Sequence, residues 1–166
     1  MEIVLHQEFL SNTKNKWLLL DTCVFIDAFS HAKEFGIFFN KLKENDTTLV
    51  TTTLVLNEFL KGSQTEEKFL QKKEYVLRII DTLLPSNDVQ NNIEILIKKY
   101  RIESKDLSEA DLNLGGILVK YGRNIYLMTR DLSDFPTNIF DRKEFMNLSH
   151  RRGVFTFCLY SYNISQ

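Results

Sequence analysis

The sequence predicts an α/β fold, a parallel sheet with helices on both faces. Two observations predict it. Short apolar or β-branched runs alternate along the chain with segments of helical periodicity. Neither an internal repeat nor a linker interrupts the 166 residues, so a single domain spanning 1–166 is expected.

The elements follow in order. Residues 1–16 are mixed and end in the polar SNTKNK; they read as an arm or a short helix. WLLL at 17–20 is a buried strand with Asp21 at its end, and TCVFIDAFS begins a helix. AKEFGIFFNKLKEN at 32–45 places Phe35, Phe38, Phe39 and Leu42 at helical spacing, so these rings are expected in the core. TTLVTTT at 47–53 is a second strand, and LVLNEFLKG at 54–62 a helix stopped by Gly62. A long amphipathic helix is expected over 64–84, ended by Pro85, and another over 87–102. The segment 108–122 opens on Ser108, an N-cap with Asp111 three residues on, and closes at Gly122. NIYLMT at 124–129 is a third strand, followed by Asp131 and Asp134. Residues 137–166 form a strand region in which only GVFTFCLYSY, 153–162, is assigned, by its alternation.

Composition narrows the function classes. With 21 basic and 22 acidic residues the net charge is −1, not the balance of a protein that coats nucleic acid. Local patches decide more than the sum, so a nucleic-acid substrate is not excluded. The chain is 43% hydrophobic, with 13 Phe and 6 Tyr, which predicts an aromatic-rich core. Two cysteines cannot build a disulfide framework and fit a reducing compartment. The apolar runs are too short to span a bilayer, and MEIVLHQEFL lacks the pattern of a signal peptide. The expectation is a cytoplasmic protein with no membrane partner.

Four acids carry the chemistry. Asp21 and Asp131 directly follow strands, and ligands in open α/β sheets bind outside the carboxyl ends of the strands. Glu58 lies on the helix after the second strand, and Asp111 in the first turn of the helix before the third. Each alone has an ordinary explanation: a helix cap, a dipole partner, a solvated face or a turn residue. Together, with no His or Cys completing another kind of site, they form an all-oxygen donor set. Hard divalent cations such as Mg²⁺ or Mn²⁺ prefer such donors. A cation held there activates water and neutralises charge on a scissile phosphate.

The set DTCVFID (21–27), TTTLVLNEFLKG (51–62), SEADLNLGGILV (108–119) and YLMTRDLSDF (126–135) resembles PIN-domain nucleases in content and order. The resemblance covers about 17–136. It implies a three-layer α/β/α sandwich around a parallel sheet. It implies Mg²⁺- or Mn²⁺-dependent cleavage of RNA, with Asp21, Glu58, Asp111 and Asp131 as metal-binding acids. Thr129 matches the family's hydroxyl residue, which the resemblance implies orients the fourth acid or a metal-bound water. Many members are VapC-like toxins that pair with an antitoxin protein and dimerise, so the resemblance also implies those partners. Cys23 stands where the family often has Asn or Ser. Asp134 falls three residues after Asp131, where the family's fifth acid falls two after.

Among the remaining residues, Cys23 reads as a small buried side chain, not a nucleophile. Arg130, Arg151 and Arg152 are the candidates for holding substrate phosphates. Two other readings compete. One is a non-catalytic binding module on the same fold. The other is a phosphotransfer protein of receiver or phosphatase type, which fits less well because Asp21-Thr22-Cys23 lacks a second acid.

Overall fold

WLLL, TLVTT and IYLMT become three adjacent inner strands of a six-stranded sheet in the computed structural model, which describes residues 7–100, 107–150 and 153–163. They are β1 (Trp17–Leu20), β2 (Thr48–Thr52) and β4 (Ile125–Thr129). β1 lies between the other two, parallel to both. All but their first residues or a single edge position are buried, as expected for strands covered on both faces. The turns into β1 and β2 use Asn15 (φ 56°) and Asp46 (φ 61°), residue types that tolerate left-handed backbone. Asn15 N–H donates to the Asp46 carbonyl at 3.1 Å, so the two strand entries are tied together.

The helices largely follow their sequence signals. The N-terminal arm contains α1 (Gln7–Thr13). Next come α2 (Thr22–Ser30), α3 (Ala32–Glu44) and α4 (Thr53–Lys61), the last capped by the Thr52 side chain. Phe35, Phe38 and Phe39 are buried, and Phe35 stacks edge-on against Phe38 and Phe157. α6 (Gln90–Tyr100) packs against α7 (Glu109–Tyr121).

Three expectations are corrected. The helix expected over 64–84 is α5 (Glu66–Ile79), and its tail is a strand, β3 (Thr82–Leu84). Asp81 makes the switch: its N–H donates to the Leu49 carbonyl at 2.7 Å and its carboxylate accepts from Leu49 N–H at 2.8 Å. β3 then pairs parallel with β2. The region 137–152, left without an element, contains β5 (Phe140–His150).

The sheet itself is mixed, not purely parallel. Its order is β3-β2-β1-β4-β6-β5, and β6 (Gly153–Tyr162) runs antiparallel to both β4 and β5. Only two residues separate β5 from β6 in the sequence. A parallel pair needs a crossover of a dozen residues or more, so this pair has to be antiparallel. No described helix is long and apolar enough to cross a membrane.

Candidate acidic site

Asp21 ends β1 and caps α2. Its Oδ1 accepts from Thr22 N–H at 2.6 Å, the exchange that starts the helix. Its Oδ2 accepts from the Thr129 hydroxyl at 2.6 Å and from the Cys23 thiol at 3.3 Å. Only 8% of Asp21 is exposed. Burial is the main reason its carboxyl is held above the ordinary 3.8; the Thr129, Cys23 and Thr22 hydrogen bonds oppose the shift and the Asp111 charge adds to it.

Thr129, the last residue of β4, is fully buried and joins two acids. Its hydroxyl donates to Asp21 and accepts from Asp131 N–H at 2.9 Å. The parallel pairing of β1 and β4 places these residues side by side at one edge of the sheet.

Asp111 arrives from α7. Ser108 and Asp111 form a reciprocal capping box, as their spacing predicts. Burial raises the Asp111 carboxyl above 3.8, Ser108 pulls it down, and the charges of Asp131 and Glu58 push it up again. Glu58, exposed on α4, accepts a hydrogen bond from the Thr22 hydroxyl. The four acids therefore come from four elements and converge beyond the ends of β1 and β4.

Asp131 and Asp134 share one hydroxyl: Ser133 Oγ donates to Asp131 at 2.8 Å or to Asp134 at 2.9 Å. Burial disfavours the ionised form of both. At Asp131 the bonds from Ser133 and Asp134 outweigh burial and lower the carboxyl below its ordinary value. At Asp134 burial and the Asp131 charge prevail and raise it.

Cys23 is a spectator nucleophile but not a spectator residue. Burial, then the Asp21 charge, push its thiol up to about 12, so it stays protonated at neutral pH. Its sulfur accepts from Arg130 N–H at 3.2 Å and donates to Asp21. Sequence reasoning gave it no part in the site; a short polarisable side chain two residues after Asp21 was the available signal.

Arg130, expected to hold a substrate phosphate, has an acidic partner in the protein. Its Nε pairs with buried Asp27 on α2 at 3.0 Å, and its guanidinium lies 5.7 Å from the Phe155 ring centre. Arg151 and Arg152 lie outside the described residues.

The donor chemistry suits a hard divalent cation: four carboxylates, of which Asp21 and Asp111 are raised first by burial and further by neighbouring acid charges. As the side chains stand, each carboxylate is turned to a protein donor. Among the described residues no group of three or more His, Cys, Asp and Glu side chains is gathered closely enough to hold a metal. The Thr22 bond occupies only one Glu58 oxygen and the Ser108 bonds only one Asp111 oxygen. Beside Glu58 and Ser108 opens a cavity of about 690 Å³, with Leu54, Leu60 and Phe69 in its wall and Lys61 and Asn57 as polar lining.

The chain matches no model of a known protein family, no curated protein and no solved structure.

Proposed function

We propose that the protein is a Mg²⁺- or Mn²⁺-dependent endoribonuclease of the PIN type. The observation that carries the reading is the Asp21–Thr129–Asp131 link across neighbouring parallel strands, with Asp111 and Glu58 brought alongside. The reading includes the three-layer arrangement of that family, to which the antiparallel β6–β5 pair is an addition. Asp21, Glu58, Asp111 and Asp131 would hold the cation. When bound, it supplies Lewis acidity, lowering the pKa of water and offsetting negative charge on a phosphate.

The chain's own residues do the rest. Thr129 fixes the Asp21 carboxylate in one orientation by donating its only proton to it. The capping box holds Asp111 at the first turn of a 13-residue helix, a rigid mount for a carboxylate. The Thr22 hydroxyl donates to Glu58 and the Cys23 thiol donates weakly to Asp21, each partly offsetting the charge of its acid. The cavity beside Glu58 gives a bound strand an apolar wall with an accessible ring, Phe69, on which a base can stack.

The test is cleavage of end-labelled single-stranded RNA by the purified chain with Mg²⁺ or Mn²⁺. Cleavage is expected, and is expected to vanish with EDTA and in Asp21→Asn. Cleavage that survives Asp21→Asn, with a folded variant, removes the assignment. Absence of both cleavage and cation binding leaves the non-catalytic binding module as the better reading.

A further inference from the structure

A second constellation lies at the opposite edge of the sheet. The acids follow the carboxyl ends of the parallel strands, whereas Lys16 immediately precedes β1 and Arg123 lies in the 3₁₀ turn that precedes β4. These two cations and Lys143 of β5 surround a cavity of about 390 Å³, at the small end of the range for ligand pockets. Asp141 is the one acid in its wall, and Lys143 already pairs with it at 2.9 Å. Neither Lys16 nor Arg123 has a carboxylate partner among the described residues. Lys99 adds a fourth positive charge: its Nζ donates to the Tyr162 hydroxyl at 3.1 Å, and Tyr162 lines the cavity.

Two further features distinguish this place from a solvated charged face. Lys143 is the extra residue of a β-bulge between Arg142 and Glu144, a device that re-aims side chains next to sites. Tyr126 and Tyr162, both half-buried, line the same cavity together with buried Ser161. Because Tyr162 accepts from Lys99, its own hydroxyl proton is directed elsewhere. The cavity thus combines an arginine fork, ammonium groups, hydroxyl donors and two aromatic rings. Arginine and lysine suit phosphate, and the rings suit a base or sugar beside it.

We propose that this cavity binds the phosphate group of a nucleotide, at the sheet edge remote from the acids. The same chemistry is offered by a free nucleotide and by a backbone phosphate of a single strand. The site does not depend on the nuclease reading, and the experiment keeps the two apart by working in EDTA.

Calorimetric titrations of the full chain with pyrophosphate, ATP and a short RNA oligomer without terminal phosphate test it. Binding of at least one probe is expected. The double variant Lys16→Gln/Arg123→Gln is expected to weaken it by about tenfold or more, through the loss of two charge-assisted contacts. Lys68→Gln/Lys73→Gln, which removes two exposed charges from α5, is expected to leave it unchanged. Binding of pyrophosphate and ATP alone assigns the site to free nucleotides. Binding of the oligomer, displaced by pyrophosphate, assigns it to a strand. No binding by the wild-type chain, or equal loss in both double variants, overturns the proposal. Thermal melts of both variants check that the fold is intact.

Discussion

Thr129 decides how two acids share one corner. Its hydroxyl has one proton, given to Asp21, and a lone pair used by Asp131 N–H. Thr129→Val keeps the shape and removes both bonds. The loss is expected to cost about 1–3 kcal/mol, because the buried Asp21 carboxyl loses the Thr129 hydroxyl as a partner. Urea denaturation measures it, and a change within error would show that the hydroxyl is not needed to hold Asp21.

Asp111 makes a pH-dependent prediction. Burial holds its folded-state pKa above 3.8, the ordinary value. The folded chain therefore binds this proton more tightly than the unfolded chain does. Its contribution to stability is greatest below about pH 4 and is lost as pH rises through the folded pKa. Asp111→Asn keeps an oxygen for Ser108 and removes the charge. In EDTA it is expected to raise the Tm at pH 7, with the gain shrinking toward pH 4. An equal drop at both pH values would point to a damaged helix cap instead.

At the scale of elements, α7 is placed by its two glycines. A Cβ on Gly115 would sit 2.8 Å from Leu96 Cδ1 and 3.2 Å from the Phe140 ring, and both of these side chains are fully buried. The pair lets α6 and β5 approach the helix that delivers Asp111. Alanine at Gly115 would gain about 1 kcal/mol of helix propensity but overpack a filled core, at about 1–3 kcal/mol. A net loss of roughly 1 kcal/mol is expected from urea denaturation. A net gain would mean that Leu96 has room to move.

Element boundaries show where local signals stop. Capping boxes and Gly stops are short-range chemistry, so Ser108, Asp111 and Gly62 were legible in the sequence. The switch from α5 to β3 was not. TLL is an apolar triplet that suits a helix or a strand, and Asp81 turns the chain only because β2 presents Leu49 to it.

For the whole molecule, four carboxylates at one edge cost stability in proportion to their charge. Adding Mn²⁺ or Mg²⁺ is expected to raise the Tm of the wild-type chain, by about 2.7 kcal/mol of stability at a hundredfold excess over Kd. Asp21→Asn and Asp111→Asn are expected to respond less. A Tm indifferent to both cations would leave the acidic edge without a metal.

The sequence by itself determined the α/β class, the three inner strands, most helices and the places of Asp21, Glu58, Asp111 and Asp131 at strand ends and on helices. These follow from periodicity, caps and strand-end positions, which are local. Only the tertiary structure decided the antiparallel β6–β5 pair, because alternation marks a strand without naming its neighbour. Only it paired Arg130 with Asp27, made Cys23 part of the Asp21 hydrogen-bond set and gathered Lys16, Arg123 and Lys143 at the far edge. Arg130 and Asp27, like Lys16, Arg123 and Lys143, are distant in sequence, and only the packing of strands and helices brings them together, which no local pattern encodes.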